Sequence, residues 1–253
     1  MRSIVLQLTL ASIVAAIGCS GDRALARKSS PADQLSDLPP ASFAAYSRVS
    51  LPGSETVVAL NDSGDVVGAT ASGGILWHGS AHERITLPII PTAIANNGTV
   101  AGSIDGHAAT WKNGRVTILD TAASMALAIC RCESATVVGS VQVNGVTHAA
   151  IWVDGIRIDA GLPPNSKHAE FSSIATGFVV GNAIVHVPDP RTGDSTDFPE
   201  AFSWSPAGGW HPFLLEGFLA TSKIVSVNSH GRGVGPGLVF NNPFVHGVLY
   251  DVA

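Results

Sequence analysis

The chain has 253 residues, 45% of them hydrophobic and only 13% charged, with 27 glycines, 15 prolines and a formal net charge of −5. That balance excludes the basic footprint of a nucleic-acid-binding protein, so nucleic acid is not an expected partner. Low charge with abundant glycine argues against long surface helices and for short strands joined by turns.

Met1 and Arg2 form a short positive start, and Ile4 to Ile17 is an apolar run broken only by Gln7, Thr9 and Ser12. It is too short to span a bilayer comfortably and has the form of a secretory signal over residues 1–18. It closes on "AIGCS", with Gly18 before Cys19. This resembles a bacterial lipobox, departing from it where Ala16 stands in place of the usual Leu. The resemblance implies that Cys19 is diacylated, becomes the new N-terminus and anchors the chain to a membrane. Ser20 in place of Asp resembles the outer-membrane sorting pattern. A plain signal peptide with a fortuitous cysteine is the alternative. Residues 19–45 are rich in Ser, Pro, Ala and Asp, and their apolar residues keep no period. Such a stretch cannot bury enough surface to offset its ordering entropy, so it reads as a tether.

From residue 46 onward the chain repeats itself. "ALNDSGDVVG" (59–68) and "AIANNGTVAG" (93–102) share one phrase, and "AICRCESATVVG", "SIATGFVVG" and "VSVNSHGRGVG" repeat it in worn form. The terminal glycines Gly68, Gly102, Gly139, Gly181 and Gly235 are spaced 34, 37, 42 and 54 residues apart. Each is followed by an aromatic, in turn Trp77, Trp111, Trp152, Trp204 and Tyr250. Units of this period, with turn residues such as "NDSG" between alternating strands, predict four strands each: Thr56–Asn61, Asp65–Thr70, Gly74–Trp77 and Arg84–Leu87 in the first. Five such units predict an all-β, five-bladed β-propeller of four-stranded antiparallel blades over 46–253. The fifth unit lacks its last strand, and "YSRVSLP" (46–52) resembles that phrase; the expectation is that this N-terminal strand closes the last blade and removes an open edge.

The phrases "ALNDSGDVVG…GGILW" and "AIANNGTVAG…HAATW" resemble the extracellular HAF-repeat family. Its units run A-I-N-x-x-G-x-V-V-G followed by H-A-F-x-W-x-x-G. The likeness covers nearly all of 46–253, strongly in units one to three, while units four and five keep only the glycine and the aromatic. It implies the fold and an extracytoplasmic location. It carries over no catalytic residue.

His107, His148 and His246 occupy one repeat position, four residues before the aromatic, and read as inter-blade bonding groups rather than metal ligands. The repeat aromatics read as inter-blade core. Cys130 and Cys132 replace the unit-three turn as "CRC". In an exported chain a disulfide is the first reading, with two free thiols or a soft-metal or redox site as alternatives. The signatures of metalloprotease, serine hydrolase and P-loop chemistry are all missing.

Insertions gather in the second–third loops and the links between blades, which share one side of such a fold; on repeat scaffolds that side often binds. Candidate ligand-binding residues are therefore Asp189, Arg191, Asp194 and Asp197 in the unit-four insertion and Asn241 and Asn242 in unit five. Asp189, Asp194 and Asp197 could hold Ca²⁺ in principle, but their spacing is not that of an EF-hand and a solvated hairpin tip is the simpler reading. The expected function is non-enzymatic binding or scaffolding at the cell envelope, with a glycan or envelope protein as partner and no cofactor. The alternative is a carbohydrate-active hydrolase or lyase using two of Asp105, Glu170, Asp189 and Glu200.

Overall fold

The computed structural model describes residues 4–5, 50–53, 56–79, 83–131, 135–188, 192, 194–213, 221–238 and 245–252. The chain divides into two compact units, one of residues 1–9 with 53–253 and one of residues 10–52, and all strands described below belong to the first.

The strands are β1 (Ile4–Val5), β2 (Thr56–Leu60), β3 (Val66–Thr70), β4 (Gly73–His78), β5 (Glu83–Leu87), β6 (Ile90–Ile94), β7 (Val100–Ile104), β8 (His107–Lys112), β9 (Arg115–Ile118), β10 (Ser124–Ile129) and β11 (Thr136–Val143). They continue with β12 (Val146–Val153), β13 (Ile156–Gly161), β14 (Ser166–Ala175), β15 (Phe178–Pro188), β16 (Ser195–Ser205), β17 (Gly209–Pro212), β18 (Thr221–Ser222), β19 (Ser226–Val227), β20 (Arg232–Leu238) and β21 (Val245–Asp251). Four consecutive sets, β2–β5, β6–β9, β10–β13 and β14–β17, each form a four-stranded antiparallel meander. In the fifth sheet β18 and β19 both pair with β20, which pairs with β21. The architecture is all-β, and the first unit's strands lie within a residue or two of the expected ones.

One expectation about the fifth sheet is corrected. The strand beside β21 is β1, through Ile4↔Leu249 and Val5↔Val248, not residues 46–51. Ser50 and Leu51 form no strand, and residues 46–49 lie outside the described residues.

The repeat glycine has a geometric cause. The first strand of each of the first four sheets carries a β-bulge, where register shifts between Val57 and Ala59, Pro91 and Ala93, Ala126 and Ala128, and Phe171 and Ser173. The carbonyl just before the bulge turns onto the second strand. A Cβ on Gly102, Gly139 or Gly181 would run into the carbonyl oxygen of Ile90, Met125 or Glu170, and on Gly235 into that of Lys223. Only glycine lets the two backbones approach this closely.

The repeat aromatics also keep their register: Trp77, Trp111, Trp152 and Trp204 stand opposite Val66, Val100, Val137 and Val179. From Trp111 onward each side chain faces the preceding sheet. Trp111 joins a core with Val67 and Leu76 of the first sheet, and Trp152 one with Ala101 and Ala108 of the second. Tyr250 joins Val180 and Ala201 of the fourth, and burial pushes its phenol up to about 12. The core is therefore a series of layers between successive sheets. Polar stitches cross the same layers: Asn61 Nδ2 donates to Ala95 O at 3.1 Å, Thr92 Oγ1 to Ala126 O at 2.8 Å and Ser172 Oγ to Ile224 O at 2.6 Å.

Candidate functional site

The fourth sheet is the longest, because β15 and β16 run eleven residues each into the unit-four insertion. Its two faces follow from register. Asn182, Ile184 and His186 alternate with Ala183 and Val185 along β15, and pairing carries the first set to Glu170 and Ala201, His168 and Pro199, and Asp197. Ala201 and Val180 bury against the fifth sheet, whereas Ala169, Phe171, Ala183 and Phe202 bury against Val138, Ala149 and Ile151 of the third.

The fifth-sheet side of this long hairpin is an open polar shelf. It holds a cleft of about 360 Å³ lined by Lys167, His168, Glu170, Asn182, Ala183, Ile184, Asp197, Pro199 and Lys223. That volume is at the small end of ligand sites, which run from about 300 to 1,000 Å³. At the outer end Asp197 Oδ1 lies 2.8 Å from His186 Nδ1 and 3.2 Å from Lys167 Nζ. Hydrogen bonds from His186 and then Lys167 hold the Asp197 carboxyl below the ordinary aspartate value. Nearer the fifth sheet, His168 Nε2 and Glu170 Oε2 are 3.7 Å apart. Asn182 forms the back wall: its Oδ1 accepts from Ile224 N at 2.8 Å and its Nδ2 donates to Ile224 O at 3.1 Å. Both ends of this amide are committed, so Asn182 fixes the segment between β18 and β19 of the fifth sheet against the shelf.

Of the candidate ligand-binding residues, Asp197 lines this cleft, while Asp194 is exposed near the hairpin tip, where its N–H donates to Thr192 Oγ1 at 3.2 Å. Asp189, Arg191, Asn241 and Asn242 lie outside the described residues, as do Cys19 and Cys132. Cys130 is disulfide-bonded. No group of three or more His, Cys, Asp or Glu side chains able to hold a metal occurs among the described residues.

Among the described residues, the carboxylates considered for hydrolysis, Asp105, Glu170 and Glu200, do not form a pair. Glu170 stands opposite Asn182 and Glu200 opposite Ala183, so the two project from opposite faces of one sheet. Burial raises the Glu200 carboxyl above its ordinary value, on the third-sheet face. Asp105 is in the β7–β8 turn of the second sheet, at φ 51°. Glu170 and Asp197 share a face, but they flank β15 four residues apart in register, about 13 Å along the strand and two strand spacings across.

The repeat histidines act locally. His107 Nδ1 is 3.0 Å from Ala122 O in the link to the third sheet, whereas His148 Nδ1 is 3.1 Å from Asp159 Oδ1 within its own sheet. The His246 side chain lies outside the described set.

Sequence reasoning overlooked Lys167, His168, His186, Asn182 and Lys223. His186 was within reach, because counting back from the hairpin tip sets it opposite Asp197. The others depend on how far the fifth sheet covers the fourth.

No protein-family model matches the chain, and no match to it is found among curated proteins.

Proposed function

We propose that this chain is a non-enzymatic binding or scaffolding module of the HAF-repeat type. In this reading it is a five-bladed β-propeller held at the cell envelope by lipid on Cys19, whose maturation removes residues 1–18 and with them β1 from the edge of β21, and it binds a glycan or an envelope protein on its link side. The observation that carries the binding reading is the polar cleft on the extended β15–β16 hairpin. It lies where the insertions gather, and among the described residues it offers charged groups without a catalytic carboxylate pair.

The ring is supported by the two ends of the series of sheets. In the first sheet Leu60, Val66 and Trp77 share the face turned away from the second sheet, and Leu60 is 56% exposed. Trp77 is the repeat aromatic that in later units faces the preceding sheet, and its buried Nε1 has no hydrogen-bond partner among the described residues. In the fifth sheet Val234 and Leu249 share the face turned away from the fourth, and Val234 is 48% exposed. Two apolar faces at opposite ends of five consecutive sheets suit one another, and apposing them gives Trp77 the preceding sheet its repeat position calls for. Inner turns already converge: Arg131 of the third sheet reaches Asp62 Oδ1 at 3.5 Å and Leu60 O at 3.2 Å in the first, and Asp62 Oδ2 accepts from Asn96 of the second at 2.7 Å.

The test is a glycan array and an envelope-protein panel probed with the full chain and with a variant lacking Val187–Asp197, rejoined by a short turn. The variant should fold, because every described residue it removes is exposed, and should lose the partner. Substitutions in the Asn113–Gly114 turn should leave binding intact. Binding that survives the deletion but fails on turn changes would reverse the assignment of faces.

A further inference from the structure

The cleft breaks the repeat in a way that indicates its ligand. The residue whose carbonyl overlies the repeat glycine is Ile90 in the second sheet, Met125 in the third, Glu170 in the fourth and Lys223 in the fifth. Ile90 and Met125 are 45% and 50% exposed, so the fold tolerates an apolar side chain here and requires no charge. Opposite charges appear at this position only on the two adjacent sheets that line the cleft. They do not pair with one another. Glu170 approaches His168, and the Lys223 ammonium has no ion pair or side-chain hydrogen bond among the described residues. The other lysine, Lys167, is held by Asp197.

Resting on the binding reading above, we infer that the cleft takes an acidic saccharide, a carboxylate-bearing sugar of about disaccharide size. Lys223, without an ion pair among the described residues, stands at the rim and complements the sugar carboxylate by a charge-assisted hydrogen bond. Glu170 and Asp197 present carboxylate oxygens, which only accept, and sugar hydroxyls donate to them. Ile184 and its cross-strand partner Pro199 form an apolar floor for the C–H face of a pyranose ring. A neutral sugar leaves the ammonium uncompensated. A purely apolar ligand leaves every polar group of the shelf without a partner.

The experiment is isothermal titration of the full chain in detergent with digalacturonate, cellobiose and glycylglycine, repeated on Lys223→Gln and on Lys112→Gln, an exposed lysine of the second sheet. Digalacturonate should bind, and more weakly as salt rises. Lys223→Gln should weaken it about tenfold, the usual worth of one charge-assisted contact, and Lys112→Gln should not. Cellobiose binding as tightly as digalacturonate, or Lys223→Gln leaving affinity unchanged, overturns the acidic class while leaving the cleft as a site. Glycylglycine binding in place of digalacturonate, with loss on Lys223→Gln, overturns the saccharide in favour of a zwitterion. Silence from all three probes overturns the inference. The binding reading then stands or falls on whether the Val187–Asp197 deletion abolishes partner capture.

Discussion

Gly139 and Asp65 each limit what their repeat unit can accept. The Gly139→Ala variant must push the bulge carbonyl of Met125 off the second strand, because the added Cβ would occupy its oxygen's position. Crowding of this kind costs about 1–3 kcal/mol, which denaturant unfolding would register as a lower midpoint. An unchanged midpoint would mean that the bulge does not lie over this glycine. Asp65 is buried, which by itself would raise its carboxyl. Bonds from Gly79 N at 2.8 Å, Asn61 Nδ2 at 2.9 Å and the adjacent His78 at 2.9 Å outweigh that and bring it below 3.8. A carboxyl depressed in the folded state stabilises fully above its unfolded value and loses that contribution as pH falls through the folded one. Wild type should therefore exceed Asp65→Asn in stability at neutral pH, with the gap closing in acid below about pH 4. A gap independent of pH would show that ionisation of Asp65 contributes nothing.

Among the elements, the bulged first strands set the layer spacing by reaching into the next sheet. Thr92 is the clearest instance, its hydroxyl bonding Ala126 O at 2.8 Å across the layer and Ala101 O at 3.2 Å within its own sheet. Thr92→Val keeps the shape and removes the one hydroxyl proton that the two carbonyls share, which should cost about 1 kcal/mol by thermal or chemical unfolding. No loss would place the layer's cohesion entirely in apolar packing. At this scale much of the fold was legible. The glycine and the aromatic recur because a bulge and an inter-sheet contact recur, so Gly68 to Trp77 already contains one sheet's rule. The closing strand was not legible in the same way. "YSRVSLP" matches the fourth-strand phrase, but β21 offers an edge that any short apolar strand can pair with, and Ile4–Val5 does so. The cleft was half legible. Asp197 could be picked out from the length and charge of its insertion, whereas Lys167 and Lys223 acquire meaning only once the fourth and fifth sheets are laid against each other.

For the whole molecule, the proposed ring would set five sheets around one axis, with the links and the β15–β16 hairpin on one side and the tight turns on the other. His78, Lys112 and Asp251 each follow the repeat aromatic and are exposed, so they mark equivalent points on the first, second and fifth sheets. Spin labels at these three positions report the arrangement through two distances measured by pulsed electron resonance. A ring makes the first and fifth sheets neighbours, so the His78–Asp251 separation should match the His78–Lys112 separation. An open row of sheets stacked about 10 Å apart would instead put the His78–Asp251 pair on the order of 40 Å apart, and that result would contradict the account.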